Sequence, residues 1–117
     1  MASAEKHLGH NPEGISAKGQ MEDESISPQK TTTYTLAITN DSVNAVKNIK
    51  VEVARIAGDG VVVHPPHLKI LVLDPKETEK CVFLVHNPTN AVVTNYTLRN
   101  RISYDGRTYD FEKFTRP

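Results

Sequence analysis

The sequence predicts an all-β protein: an immunoglobulin-like sandwich of about seven strands in two antiparallel sheets, with a flexible N-terminal tail. Three observations lead to this fold class. Apolar residues occupy every second position in several stretches, as at Tyr34, Leu36 and Ile38, which is the period of a half-buried strand. Turn-forming residues separate these stretches at roughly ten-residue spacing, as in a sandwich. The sequence shows no helical periodicity of useful length.

The N-terminal part is predicted to be a flexible tail over residues 1–14, followed by one domain over residues 15–117. The tail is polar and lacks periodicity, so it cannot bury enough apolar surface to offset its ordering entropy. Beyond it, Ile15 and Met21 stand among charged residues. This pattern predicts an irregular first strand along a sheet edge, ending at Pro28.

The remaining strands are bounded by residues that tolerate positive φ or fix φ near −65°. These turns are Asn40-Asp41-Ser42, Gly58-Asp59-Gly60, Pro65-Pro66, Asp74-Pro75 and Asn87-Pro88. The strands they delimit are predicted over residues 31–39, 48–57, 61–63, 67–73, 78–86, 94–104 and 107–114.

The last two strands carry the most specific local signal. Asp105-Gly106 between alternating apolar residues predicts a two-residue hairpin in which Tyr104 pairs with Arg107. The register that follows gives the opposite pairs Ile102–Tyr109, Arg101–Asp110 and Arg99–Glu112. Opposite charges facing each other would mark the wet face.

The same register places Asn100 opposite Phe111 on the apolar face, so a bulge is expected there, which would turn Phe114 inward. The continuous apolar run KILVL is expected at a sheet crossing or under cover on both faces. The predicted core consists of Tyr34, Leu36, Ile38, Ile49, Val51, Val53, Leu68, Ile70, Val72, Cys81, Phe83, Val85, Tyr96, Leu98, Ile102, Tyr109 and Phe111.

The order of three motifs resembles a known family. The stretch YTLAITNDSVNAVKNIKVEV is followed by Leu73-Asp74-Pro75-Lys76-Glu77, the inward Phe83 and the final hairpin. This order resembles the immunoglobulin-like modules of the cell-adhesion-related CARDB family, and the similar modules appended to glycosidases, over about residues 26–114. Asn40 stands at the family's asparagine. The resemblance implies a binding or spacer module. Appendage-type sandwiches of vesicle coats share the same pattern.

Composition excludes several classes of function. The 117 residues contain 14 Lys and Arg against 14 Asp and Glu, so no overall basic field favours nucleic acid. No run approaches the ~20 apolar residues of a membrane span, so no membrane insertion is expected. The single cysteine, Cys81, allows no intramolecular disulfide and no cysteine zinc cage. Its phase with Phe83 and Val85 predicts a buried, inert thiol.

No catalytic residues, metal site or cofactor are predicted. His64 and His67 have an H-x-x-H spacing, but the two intervening prolines rule out the helix that would align both rings. The carboxylates lie in turns or opposite basic residues, which indicates solvated pairs rather than an acid and base couple. The sequence therefore predicts a protein that is not an enzyme.

Binding is expected at loops or at an exposed face. One candidate surface carries Asp59, His64 and His67, and the other is the wet face of the final hairpin with Arg99, Arg101 and Asp110. Mixed charge and few aromatic residues favour a protein partner, or neighbouring domains of the same chain, over sugar.

The main hypothesis is therefore a non-catalytic binding or spacer module, most simply for protein recognition, in a larger extracytoplasmic, envelope or secreted protein. It is expected to be a monomer in isolation. One alternative is an intracellular, cytoplasmic protein-interaction domain of the appendage type. Another is an accessory domain beside a glycosidase or protease domain.

Overall fold

The computed structural model describes residues 4–116, and within that range the chain forms strands and no helix. The strands are β1 Ala4–His10, β2 Ile15–Met21, β3 Thr31–Asn40, β4 Val46–Gly58, β5 Val62–His64, β6 His67–Leu73, β7 Thr78–His86, β8 Tyr96–Tyr104, β9 Arg107–Asp110 and β10 Phe114–Arg116. The first sheet has the order β1-β2-β3-β7-β5. The second has the order β10-β8-β4-β6, with β9 also paired to β8. The predicted all-β sandwich of two antiparallel sheets is confirmed.

The core lies between the inward faces of the two sheets. β3 alternates strictly, with Tyr34, Leu36 and Ile38 fully buried, because successive side chains of a strand point to opposite faces. Most of the predicted core residues are buried, and Leu68 and Tyr109 pack against the core while partly exposed. Val72 is 44% exposed, so its placement in the core was wrong.

The N-terminal segment departs from the predicted tail. Residues of β1 pair with β2 in antiparallel register, and Leu8 is buried in the core. A strand added to an existing edge gains main-chain hydrogen bonds and needs few apolar residues of its own. The polar sequence of β1 therefore lacks the hydrophobic periodicity from which a strand would be predicted. The strand β2, predicted at an edge, consequently lies between β1 and β3. Residues 1–3 of the predicted tail lie outside the described residues.

The final hairpin has the predicted register. Tyr104 pairs with Arg107, and the turn residues Asp105 and Gly106 both have positive φ, as a two-residue hairpin turn requires. The register between β8 and the following chain then shifts by one residue, so that Phe114 faces Leu98 and is buried. The expected bulge is therefore present.

The strand β6 breaks its alternation, and the KILVL run is not covered on both faces. Ile70 and Leu73 are buried, whereas Leu71 and Val72 between them are 68% and 44% exposed. The break lies beside Asn48 of the neighbouring strand β4, which adopts a φ of 55° between the pairs that flank it. Alternation depends on extended backbone at every position, so a left-handed residue interrupts it in β4, and the paired strand β6 breaks at the same place.

Two loops carry the chain from the first sheet to the second with the same hydrogen bonds. In the β3–β4 loop, Asn40 is buried and its side-chain nitrogen donates to the main-chain oxygens of Asn44 and Leu73, while its oxygen accepts from Ser42. In the β7–β8 loop, the buried Asn87 does the same with Ala91 and Thr89. Each asparagine thus replaces the main-chain partners that a loop lacks.

The two long sides of the sandwich differ. On the side that we call the closed side, the Glu112 amide donates to the Leu8 carbonyl at 3.0 Å and Lys6 Nζ donates to the Lys113 carbonyl at 3.2 Å, which joins the sheets. The other side, between β6 and the segment 78–83 of β7, is called the open side. Within residues 4–116, β6 pairs with β4 alone and segment 78–83 pairs with β3 alone.

Candidate binding face

The outer face of the second sheet gathers the basic side chains of the final hairpin. Along β8, Arg99 and Arg101 alternate with the buried Leu98, Asn100 and Ile102, so both arginines point outward. The regular alternation of β8, predicted from the sequence, places them on the same face.

A continuous row of polar side chains crosses this face. The register sets His67 of β6 opposite Glu52 of β4, Glu52 opposite Arg101 of β8, and Arg101 opposite Asp110 of β9. Three of the predicted binding residues, His67, Arg101 and Asp110, therefore share one row. The two candidate surfaces of the sequence are thus partly joined into one.

Arg101 and Asp110 form a two-pronged ion pair. Arg101 Nε donates to Asp110 Oδ1 at 2.7 Å, and its Nη2 donates to Oδ2 at 3.2 Å. This hydrogen bond lowers the pKa of the Asp110 carboxyl, and the charges of Arg101, Arg99 and Lys113 lower it further. One carboxylate therefore faces three cations, and both of its oxygens are already used by Arg101.

Arg99 is the cation that the hairpin leaves unmatched. It lies half-buried opposite Ala54 of β4, and its Nε is enclosed without a hydrogen-bond partner among residues 4–116. The predicted pair with Glu112 was wrong, because β9 ends at Asp110 and the bulge carries Glu112 to the Leu8 carbonyl. Within residues 4–116 the charge of Arg99 therefore has no ion-pair partner, which favours an incoming carboxylate.

We call this surface the basic face and define it by Lys50, Arg99, Arg101 and Lys113 with Glu52 and Asp110. Four basic groups against two carboxylates give a net charge of +2, although the whole chain is neutral. Next to the face, Ile56 is the extra residue of a bulge in β4 and is 42% exposed. The surface therefore offers positive charge beside an apolar side chain.

The other predicted binding residues lie elsewhere. Asp59 is an exposed loop residue after β4, and its amide donates to the Asn95 carbonyl. His64 ends β5 and belongs to the first sheet, whereas His67 begins β6 in the second. Among residues 4–116 no group of three His, Cys, Asp or Glu side chains is placed to hold a metal ion.

Sequence reasoning missed the contribution of β4 to the basic face. Lys50, Glu52 and Ala54 alternate with buried Val51 and Val53, and this period-two signal was present in the sequence. Assigning them to the face of Arg99 and Arg101 required the pairing of β4 with β8, which local sequence does not encode.

A trough of about 540 Å³ lies on the outer face of the first sheet. Small side chains of β3, such as Thr35 and Ala37, form its floor. Its charges are largely balanced, since Lys18 lies 3.8 Å from Glu5, and Ser16 donates to Asp41. The trough therefore shows less preference for a charged ligand than the basic face does.

Comparison with known proteins identifies the fold. No family model matches the chain, and no curated protein matches it. The crystal structure of the GAE domain of yeast GGA1 is similar at 13% identity and a TM-score of 0.61, covering 97% of this chain and 99% of that chain. The GAE domain of GGA2p from Saccharomyces cerevisiae is similar at 15% identity and a TM-score of 0.58, covering 97% and 98%.

A FixG-related protein from Vibrio parahaemolyticus gives 10% identity and a TM-score of 0.46, covering 98% of this chain and 94% of that chain. The two GAE domains support the immunoglobulin-like sandwich predicted from the sequence. Membership of the CARDB family stays a prediction without support from a family model.

Within residues 4–116 no helix is long and apolar enough to cross a bilayer.

Proposed function

We propose that the chain is a non-catalytic protein-interaction module of the appendage type, and that its basic face binds an acidic segment of a partner protein. The observation that carries the proposal is Arg99, an outward arginine of β8 that has no ion-pair partner within residues 4–116 and lies near a carboxylate that Arg101 already occupies. Arginine suits this task because its planar donors fit carboxylates in pairs.

The likeness of the fold to two GAE domains supports the intracellular appendage hypothesis more than the envelope or secreted module that was the main hypothesis. Fold likeness alone does not assign a partner, so the partner's chemistry is taken from the face itself. A net charge of +2 favours an acidic segment, and Ile56 favours an apolar side chain within it.

The test is a titration of the labelled chain with an acidic probe peptide, Glu-Asp-Leu-Glu-Asp-Leu, followed by amide chemical shifts. We expect shifts over β8 and over Glu52–Ile56, and binding that weakens with added salt because the contact is electrostatic. Arg99→Glu should weaken binding by about ten-fold or more, since it reverses a charge at the contact.

The matched control is Arg107→Glu, which reverses the charge of an arginine that lies on β9 and is engaged by Glu13 at 3.3 Å. This variant should bind the probe nearly as well as the parent chain. Absence of binding at millimolar peptide, equal losses in both variants, or tighter binding of a DNA duplex through Arg99 and Arg101 would each overturn the proposal.

A further inference from the structure

The open side leaves two strand edges without partners. Within residues 4–116, β6 is paired along its β4 edge alone, and segment 78–83 of β7 is paired along its β3 edge alone, because β5 reaches only the last residues of β7. A free strand edge presents a row of main-chain donors and acceptors at strand spacing. The group that satisfies such a row is another extended strand.

A cleft of about 500 Å³ lies between these edges. Ile70 and Cys81 at its base are 5% and 4% exposed and belong to the core. Leu71 and Val72 line it and are 68% and 44% exposed, as a result of the broken alternation of β6. Two adjacent exposed apolar side chains on a free edge are unfavourable in water, and a strand placed there would cover them.

The charges that line the cleft indicate which kind of partner strand would bind there. Its lining includes Lys69 and Lys80 against Glu79, a net charge of +1. Lysines on a strand edge hinder pairing between identical chains, and a second copy would bring the same net positive lining. A partner strand that carries acidic side chains meets attraction instead.

We propose that the open side binds an extended segment of a partner protein, added as a strand beside β6, with apolar side chains over Leu71 and Val72 and acidic side chains near Lys69 and Lys80. This surface has no residue in common with the basic face, although its Lys69 lies opposite Lys50 of that face across the β4–β6 pair. The chain then has two binding surfaces. The basic face recognises the charged side chains of a partner, and the open side forms main-chain hydrogen bonds with an extended segment.

The probe is an eight-residue peptide of alternating valine and glutamate with blocked ends, titrated into the labelled 117-residue chain. Amide shifts are expected to be confined to β6 and to segment 78–83 of β7, and the amides of these residues should gain protection from hydrogen exchange. A peptide of alternating valine and lysine, identical in length and backbone, should bind about ten-fold more weakly or not at all.

Two variants test the contact on the protein. Leu71→Gln removes an exposed apolar side chain of the cleft without changing its charge, and Lys80→Glu reverses a charge of the cleft, so each should weaken binding by about ten-fold. Val92→Gln is the matched control, since Val92 is 56% exposed and lies in the β7–β8 connection outside the cleft. All three variants should keep the parent's unfolding midpoint, because these positions are exposed.

Three outcomes would overturn the inference. The first is no shift at millimolar peptide, and the second is shifts on the basic face in place of β6. The third is a dimer of the free chain in sedimentation that Leu71→Gln abolishes, which would make a second copy the occupant. Binding that survives Arg99→Glu but not Leu71→Gln would support the inference independently of the proposed function.

Discussion

The closed side and the open side of the sandwich differ in whether hydrogen bonds join the edges of the two sheets. On the closed side, the chain after β9 leaves its strand, and its Glu112 amide reaches the Leu8 carbonyl of the opposite sheet. On the open side, β6 and segment 78–83 of β7 do not pair with each other, and core residues Ile70 and Cys81 line the cleft between them. Hydrogen bonds between the sheets close one side, and the other side leaves two strand edges free for a partner strand. Stability should therefore depend on the closed side, and binding of an extended strand on the open side.

The largest expected effect is on the closed side, from Leu8→Ala. Leu8 is 1% exposed, and its removal leaves a cavity in the core, so unfolding free energy should fall by about 2–4 kcal/mol. Leu71→Ala is the matched change on the open side, where the same side chain is 68% exposed and should cost less than about 0.5 kcal/mol. Denaturant unfolding measures both. Equal losses would remove the distinction between the two sides.

Asn100→Ala should have the next largest effect. The buried Asn100 accepts a hydrogen bond from Tyr34 Oη at 2.7 Å and donates to the Glu112 carbonyl at 3.1 Å, which holds the segment that closes the sandwich. Leaving Tyr34 without its partner should cost about 1–3 kcal/mol. Hydrogen exchange of the Glu112 amide should accelerate beyond the change seen in Ser103→Ala, an outward position on the same strand. An unchanged Glu112 rate would contradict this role.

The reactivity of the Cys81 thiol measures how far the cleft of the open side exposes the core. Burial, with a contribution from the Glu79 charge, raises the pKa of its thiol to about 12. Because the thiolate is the reactive form, alkylation of the folded chain should be slow at pH 8 and should keep rising about ten-fold per pH unit beyond pH 9. The unfolded chain should react quickly and level off near the ordinary thiol pKa. Rapid labelling of the native chain at pH 8 would show that the cleft exposes the sulfur.

The smallest expected effect concerns Asp110 on the outer face. Its carboxyl pKa is lowered in the folded chain by the hydrogen bond from Arg101, so the pair stabilises the fold above the unfolded carboxyl pKa and loses that contribution as pH falls through the folded value. Asp110→Asn should therefore be slightly less stable than the parent at pH 7 and indistinguishable from it in strong acid. The difference should be small because the pair is solvent-exposed. A difference that grows toward acid pH would contradict this sign.

The regions of the molecule also differ in how far the sequence could predict their structure. The hairpin of β8 and β9 was predicted to the residue, because Asp105-Gly106 encodes its own turn and register. β1 escaped prediction because its stability comes from pairing with β2 and from one buried side chain, Leu8, rather than from a periodic pattern. The exposure of Val72 was not predicted because the break in alternation lies beside Asn48 of the neighbouring strand, and local sequence does not specify the positive φ of that asparagine.

The candidate site was predictable in part. Arg99, Arg101 and Asp110 follow from alternation along β8 and from the hairpin register. The absence of a pair between Arg99 and Glu112 did not follow from the sequence. The bulge moves Glu112 out of register, and how far it moves depends on its contact with Leu8 in the other sheet. The place of His67 in the row with Glu52 required the pairing of β4 with β6, which joins residues distant in the chain.

The buried asparagine of the β3–β4 loop has a chemical consequence beyond packing. Asn40-Asp41-Ser42 is an acceptor triplet for N-linked glycosylation, and the acceptor atom is the side-chain nitrogen. In the fold that nitrogen donates to the Asn44 and Leu73 carbonyls and is enclosed, so a glycan at Asn40 and this crossover cannot coexist. Its counterpart Asn87 is followed by Pro88, which excludes it from the same reaction. An oligosaccharide added to the nascent chain at Asn40 would therefore prevent one loop from forming while leaving its twin untouched.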